Sequence, residues 1–483
     1  MPCSLKAEYT LIDGRLCPDV LVRIGSDGLI EDVESTCRGE APPSHRDPFS
    51  DDYRPPERIQ RLRGKVLLPG FVNGHSHAFQ RLLRGRTEHT PRGVSGDDFW
   101  SWRTAMYRAA HTLDPEQLEA VTTFAYVEML RAGFTHVAEF HYLHHQPDGT
   151  PYDDPLELTR RVIEAADQVG IGLTLLRVAY QRGGADVPLA LEQRRFVDGS
   201  IDAYARNVAD TVALAKEEHR HPVIAGLAAH SVRALDRDWL SALVEIAGDN
   251  PLHAHVAEQP REIEQCVAEH GLRPVSLLSE LGYLKPGFTA VHATHLDPTD
   301  VRLLGEAGVT CCICPTTERN LGDGLPPLRE LLDAGARLAI GSDSHAVIDP
   351  FREIAALENG ERLRTGRRNV LTASDGPDGG VATTLLQAGA CGGADSLGLN
   401  AGAIAPGMRG DLITLDLDDP ALAGIQVGAD GSAALLGAIA LAGGSHLVKD
   451  VWVGGKQMVV DGVHLRWESA LRDYQQVAAT LWV

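Results

Sequence analysis

The chain has 483 residues, 43% of them hydrophobic and 23% charged, an ordinary balance for a soluble globular protein that excludes the disordered and low-complexity classes. A formal net charge of -21 argues against a nucleic-acid backbone or an anionic membrane surface as the main partner. The length accommodates one large α/β domain with an appendage, or two to three ordinary domains.

The opening segment, MPCSLKAEYTLIDGR, lacks a basic stretch followed by an apolar one, and no apolar run approaches the length of a bilayer span. A cytoplasmic protein is expected. Residues 7–34, AEYTLIDGRLCPDVLVRIGSDGLIEDVE, alternate apolar and polar side chains around Gly-containing turns, the pattern of small antiparallel strands. Residues 39–58 are rich in Pro and charge and predict an exposed, mobile loop.

A series of short apolar runs follows, each ending in polar or ionisable residues and each succeeded by a segment of helical period. In order they are VLLPGFVNGHSH, FTHVAEFHY, IGLTLLRVAY, VIAGLAAHS, PLHAHVAEQ, FTAVHATHL, VTCCICPTTE and RLAIGSDSH. Helices are predicted between them at PEQLEAVTTFAYVEMLRAG, PLELTRRVIEAADQVG and PREIEQCVAEHG, with Pro near the start and Gly at the end. Repeated strand-helix units point to a parallel barrel, whose strand C-termini carry the active site. The tail alternates again in GDLITLDL and VKDVWVGGKQMVVDGVHL. The expected fold is therefore α/β: a (β/α)8 TIM-like barrel over 69–400, and a small β-sandwich domain assembled from 1–68 and 401–483.

His75 and His77 stand two apart at the end of the first run, where an extended chain aims both rings into one volume. Alone, this pair is as well explained by surface histidines in a loop. The other runs add to it: Glu139, His141 and Tyr142 end the second, His230 the fourth, His255 and Glu258 the fifth and His292 the sixth, Glu318 follows the seventh, and Asp343 ends the eighth. Each taken singly reads best as a hydrogen-bonded pocket residue, but jointly that reading requires a coincidence across several strand ends. His75, His77, His255 and Asp343 form a borderline-soft set, three neutral donors and one anion, suited to one Zn²⁺ or another divalent first-row ion. A cation so held keeps net positive charge and favours ionisation of water near neutral pH. Glu258 is placed to move protons to a leaving nitrogen, and His292 to face the reacting carbon. The cluster CCIC at 311–314 reads as buried strand cysteines rather than a metal site, because no second Cys or His group stands at zinc spacing.

These features resemble the amidohydrolase superfamily of metal-dependent hydrolases over nearly the whole chain. More narrowly, NGHSHAFQRLLRGRTE, DDFWSWRTAMYR, VAEFHYLHH, AAHSVRAL, HAHVAEQPREIEQC, VHATHL, TTERNLGDGLPP and IGSDSHAVIDPFREI are similar to the formimidoylglutamate deiminase family, FWSWRTAMYR and HAHVAEQPREIE being the most specific. The resemblance implies hydrolysis of N-formimino-L-glutamate to N-formyl-L-glutamate and ammonia in histidine breakdown. It implies zinc on His75, His77, His255 and Asp343, one ion per subunit, with Asp343 also taking a proton from the attacking water. Glu258 and His292 become the acid-base and polarising pair, and Gln80, Arg103, Tyr142, His230 and Arg233 the substrate contacts. Arginine forks match carboxylates, which suits a small dicarboxylate substrate. Without the resemblance, Arg103 reads as a surface helix residue. Two-metal members of the superfamily bridge their ions with Lys or Glu, whereas the fourth run ends in AAHS without Lys, which favours one ion; Glu139 is assigned a structural or substrate-side role. A homodimer is implied, with a neighbouring subunit as a possible contributor to the pocket. Two alternatives stand beside this reading: a deaminase of an aminated heterocycle such as guanine, and a catalytically silent barrel retained for binding.

Overall fold

The computed structural model describes residues 2–35, 59–90, 96–217, 219–373, 380–425 and 431–481. The expected loop at 39–58 lies outside them, as does all but the last residue of the glycine-rich stretch 374–380.

Every one of the apolar runs forms a barrel strand: β1 Phe71–Ser76, β2 Phe134–His141, β3 Gly172–Ala179, β4 Val223–Ser231, β5 Leu252–Val256, β6 Phe288–His292, β7 Thr310–Ile313 and β8 Arg337–Ile340. They pair in sequence order as an 8-stranded sheet, each parallel to the next. A parallel bridge between Ser76 and Asp343 closes the ring. The strands lack strict alternation because helices cover their outer face while their inner face packs on itself, so β2 and β3 are buried at every position. Space inside is short: a Cβ at Gly341 would stand 2.7 Å from the His75 Cβ and 2.9 Å from the Cys314 sulfur.

The predicted helices form at Pro115–Ala132, Glu157–Val169 and Pro260–His270. The first shows why: the Asp114 side chain accepts the Gln117 N–H, Pro115 occupies the first turn, and Gly133 ends the helix at φ 104°. That left-handed cap delivers the chain directly into β2.

The strands from the two ends merge into one nine-stranded mixed sheet. Its central strand, Ile59–Pro69, runs parallel to Cys3–Ile12 and antiparallel to Leu412–Asp416, so the pairing is not purely antiparallel as the turn-rich sequence suggested. Alternation sorts its faces: Leu67, Leu412 and Trp452 enter a local apolar cluster, while Val66, Leu68, Ile413, Val451 and Val453 join the main core. The same segment then passes through Gly70 into β1, so the outer sheet anchors the strand that carries His75. Among the described residues no helix is long and apolar enough to cross a membrane.

Candidate metal and substrate site

At the C-terminal mouth of the barrel, β1 presents His75 and the residue just beyond its end, His77, while β5 presents His255. Asp343 follows β8 in a left-handed conformation, φ 44°. The His75 and His255 Nε2 atoms are 3.1 Å apart, and the Asp343 Oδ1 lies 3.4 Å from Nε2 of both His75 and His77. All four side chains are buried. Burial lowers the pKa of His77 to about 3 and drives His75 and His255 down as well, so these rings are neutral. Burial would raise Asp343, but hydrogen bonding to His75 and the charge of His292 hold it below the usual carboxylate range. The His77 Nδ1 lies 3.0 Å from the Phe140 carbonyl and donates to it, which leaves the Nε2 lone pair facing Asp343. The His77 lone pair and the Nε2 atoms of His75 and His255 crowd one buried carboxylate, and a cation among them would be bound by all four. The donor set therefore fits a divalent ion.

His292 ends β6 at φ 70°, with Nε2 3.7 Å from Glu258 Oε1 and 3.9 Å from Asp343 Oδ2, and Nδ1 3.3 Å from Glu318 Oε1. Burial pulls its pKa down, yet Glu258, Glu318 and Asp343 together raise it well above the ordinary value. It is thus a charged imidazole, a donor of protons and positive charge rather than a lone pair. His292 also groups with His75 and His255 as three mutually close donor atoms, but its protonation separates it in role. Burial pushes the Glu258 pKa up, against the pull of the His292 cation. Its backbone N–H and that of Ala257 donate to the Glu262 carboxylate at 3.1 and 3.3 Å, which fixes the turn after β5.

The chain ends that bear these groups are clamped. Asp343 donates its N–H to the His75 carbonyl at 3.0 Å, and His77 returns an N–H to the Asp343 carbonyl at 3.1 Å. Asn73 bonds both the N–H and hydroxyl of Ser342, and the His345 ring joins Ser342 to Ser76. Glu139 accepts from the Ser76 hydroxyl at 2.6 Å, the Ala78 N–H at 2.7 Å and the Tyr126 hydroxyl at 3.3 Å, and belongs to none of the close donor groups. It braces the segment after His75. Left-handed non-glycine residues gather here, namely Ala257, His292, Ala293, Asp343 and His345, as strained backbone does where function fixes side-chain direction.

The expected substrate contacts line one continuous wall. The Gln80 amide donates to the Tyr142 hydroxyl at 3.0 Å, and the Tyr142 ring lies 5.2 Å from His77. His230 packs its ring 5.1 Å from His255 and 4.6 Å from Tyr180. Beyond them, Arg233 donates to the Gly183 carbonyl at 2.7 Å, and Arg103 donates to the Tyr107 hydroxyl at 2.6 Å. Arg103 is half-buried on the helix Phe99–Thr112, its guanidinium over the Trp100 and Tyr107 rings. Burial raises the Tyr180 hydroxyl, but the charges of Arg233 and Arg103 bring it below its ordinary value.

Four contributors escaped the sequence reading. Tyr107, Tyr180 and Gln193 join the wall from a helix, a strand end and a short 3₁₀ turn; Tyr180, directly after β3, obeyed the strand-end rule and was the one with a usable signal. Cys314 lies in a donor group with His292 and Glu318, which linear zinc spacing did not show. Its N–H donates to Glu318 at 2.9 Å and so positions the partner of His292.

A closed parallel barrel gathering three imidazoles and one aspartate at its strand C-termini defines a metal-dependent hydrolase. Residues 66–458 match the model of the amidohydrolase family, and the chain belongs to that family. It is 39% identical over 480 residues to the formimidoylglutamate deiminase of Pseudomonas aeruginosa, covering 99% of each protein. It is 30% identical over 407 residues to the 8-oxoguanine deaminase of the same species, covering 82% of this chain and 83% of that protein. The crystal structure of an amidohydrolase from Brucella melitensis aligns with a TM-score of 0.85 at 34% identity over 100% of both chains.

Proposed function

We propose that this chain hydrolyses N-formimino-L-glutamate to N-formyl-L-glutamate and ammonia, as a zinc-dependent, cytoplasmic, homodimeric enzyme of histidine degradation with one ion per subunit. The observation that carries the reading is a pair of arginines, Arg103 and Arg233, converging on one phenolic wall that leads to the imidazole and aspartate group. A linear dicarboxylate needs two such cations at one end and a hydrolytic centre at the other.

A divalent ion held by His75, His77, His255 and Asp343 would supply Lewis acidity and make water more acidic. The protein groups divide the remaining work. Asp343, kept ionised, takes a proton as water adds to the formimino carbon. The His292 cation faces negative charge developing on the added oxygen. Glu258, whose proton affinity burial raises, passes a proton to the imino nitrogen; the proton taken by Asp343 follows it, the hydroxyl proton moves to Glu258 as the carbonyl forms, and the nitrogen leaves as ammonia when the C–N bond breaks. Gln80, Tyr142 and His230 orient the formimino group between these residues and the arginines.

The assay is ammonia release from N-formimino-L-glutamate by zinc-loaded protein, and no release above background removes the assignment. Arg103→Met and Arg233→Met should each raise KM for this substrate by about 10- to 100-fold, the range of one lost charge-assisted hydrogen bond. The likeness to 8-oxoguanine deaminase favours a second reading, deamination of an aminated ring. Paired arginines weigh against it, because a neutral ring offers them no anion. Turnover of guanine but not of the dicarboxylate would establish it instead.

A further inference from the structure

Proton counting around the phenolic wall points to a ligand group that the protein does not itself provide. Gln193 has its orientation fixed, because its side-chain oxygen accepts the Ala190 N–H at 2.8 Å. The NH₂ must then face the tyrosines, and it donates to Tyr180 at 2.7 Å and to Tyr107 at 3.2 Å. Tyr107 also accepts from the Arg103 Nε at 2.6 Å, which fills both lone pairs of its oxygen. Its own hydrogen is left to serve the Tyr107–Tyr180 contact at 3.3 Å. Tyr180 then accepts from Gln193 and Tyr107, which fills both lone pairs of its own oxygen, and the Arg233 cation acts on it electrostatically.

Every partner of the Tyr180 hydroxyl is thus a donor, and its hydrogen has no acceptor among them. Arg103, Arg233, the Gln193 amide and both hydroxyls form a donor-rich cluster; Glu258 and Glu262 act on Arg233 by charge, but among the described residues no carboxylate hydrogen-bonds to these donors. Such a buried group is costly unless an acceptor arrives. The Tyr180 ring stands edge-on to His230, which in turn packs on His255, so the unmatched hydrogen sits two ring contacts from the imidazole and aspartate group.

We infer that Tyr180 is a substrate-binding residue that donates its hydroxyl hydrogen to one carboxylate of the dicarboxylate substrate, with Tyr107 and Gln193 as positioning residues. The inference rests on the deiminase reading above and adds residues to its recognition site.

Calorimetric titration with N-formyl-L-glutamate, and with its two analogues each lacking one carboxylate, tests it on zinc-loaded protein. Tyr180→Phe should weaken the dicarboxylate about 10- to 100-fold, weaken one analogue equally, and leave the other within about twofold, because that analogue lacks the carboxylate Tyr180 serves. Gln193→Glu, nearly isosteric, places an acceptor inside the cluster. It should weaken the dicarboxylate by a similar factor at pH 8 and recover toward wild type as the pH falls and the introduced carboxylate takes up a proton. Unchanged affinity in Tyr180→Phe, or equal loss on all three ligands, overturns the role of Tyr180. A Gln193→Glu protein with wild-type affinity at pH 8 overturns the donor count. Wild-type protein that neither binds N-formyl-L-glutamate nor releases ammonia from its formimino counterpart overturns the deiminase reading, and this inference with it.

Discussion

Glu353 offers a quantitative test of how the barrel mouth is held. Its carboxyl group is fully buried on the helix Pro350–Thr365 and accepts from the Thr316 N–H at 3.0 Å and from the Thr316 hydroxyl. Thr316 opens the short helix that carries Glu318, the partner of His292. Burial, the largest influence, pushes the Glu353 pKa from 4.5 to about 8, although both Thr316 hydrogen bonds act to lower it. A carboxyl group that binds its proton more tightly folded than unfolded favours folding most below the unfolded value. That advantage is lost as pH rises from about 4.5 to about 8. Integrating the proton uptake for these two values gives a loss of about 2.5 kcal/mol between pH 6 and pH 8.5. At about 2.1 cal/mol/K per residue, unfolding entropy for a chain this long is about 1 kcal/mol/K, so the loss is a Tm change of about 2.5 °C. Glu353→Gln keeps an acceptor for the Thr316 N–H and cannot titrate. Scanning calorimetry at both pH values should show the variant gaining about 2.5 °C on wild type at pH 8.5 relative to their difference at pH 6. A gap that stays constant between the two pH values would refute the claim that this carboxyl is protonated in the folded protein at pH 6.

Three further outcomes follow from the same geometry. His292→Asn should lower kcat for N-formimino-L-glutamate by about 10²- to 10⁴-fold in the ammonia assay, with metal content by elemental analysis unchanged, since the ring is charged and not a lone-pair donor. If the proposed ion is bound, chelator dialysis should lower the calorimetric Tm in a way that added Zn²⁺ reverses, by about 2.7 °C when free metal stands at 100 times its Kd, which is about 2.7 kcal/mol of stability. Gly392→Ala should cost about 3 kcal/mol in thermal unfolding, because a methyl group there would overlap the Leu338 carbonyl oxygen on β8.

The barrel was legible because each buried strand is a compact apolar run ending in an ionisable group, and because Pro and Gly punctuate the helices between them. The convergence of His75, His77, His255 and Asp343, the proposed ion-binding set, was legible for the same reason: all sit where the strand-end rule looks. The central parallel pairing of Cys3–Ile12 with Ile59–Pro69 was not, since nothing local distinguishes a parallel neighbour from an antiparallel one. Tyr107 and Gln193 were hidden for a different reason. Their meaning lies in sharing two hydroxyl contacts across 86 residues of chain, and neither residue type signals that in its own neighbourhood. Glu139 shows the opposite error to guard against, a carboxylate at a strand end that spends its oxygens on Ser76, Ala78 and Tyr126.

The seam between β1 and β8 carries a consequence for biosynthesis. His75 leaves the ribosome early and Asp343 late, yet the two meet across the joint between the first and last strands. A nascent chain therefore possesses no completed cage until nearly the whole barrel has been translated, and the Leu412–Asp416 strand that braces the first one emerges later still. At the proposed site the ion would find all four donors only once Asp343 has been made, and chains terminated before it should emerge unable to retain metal.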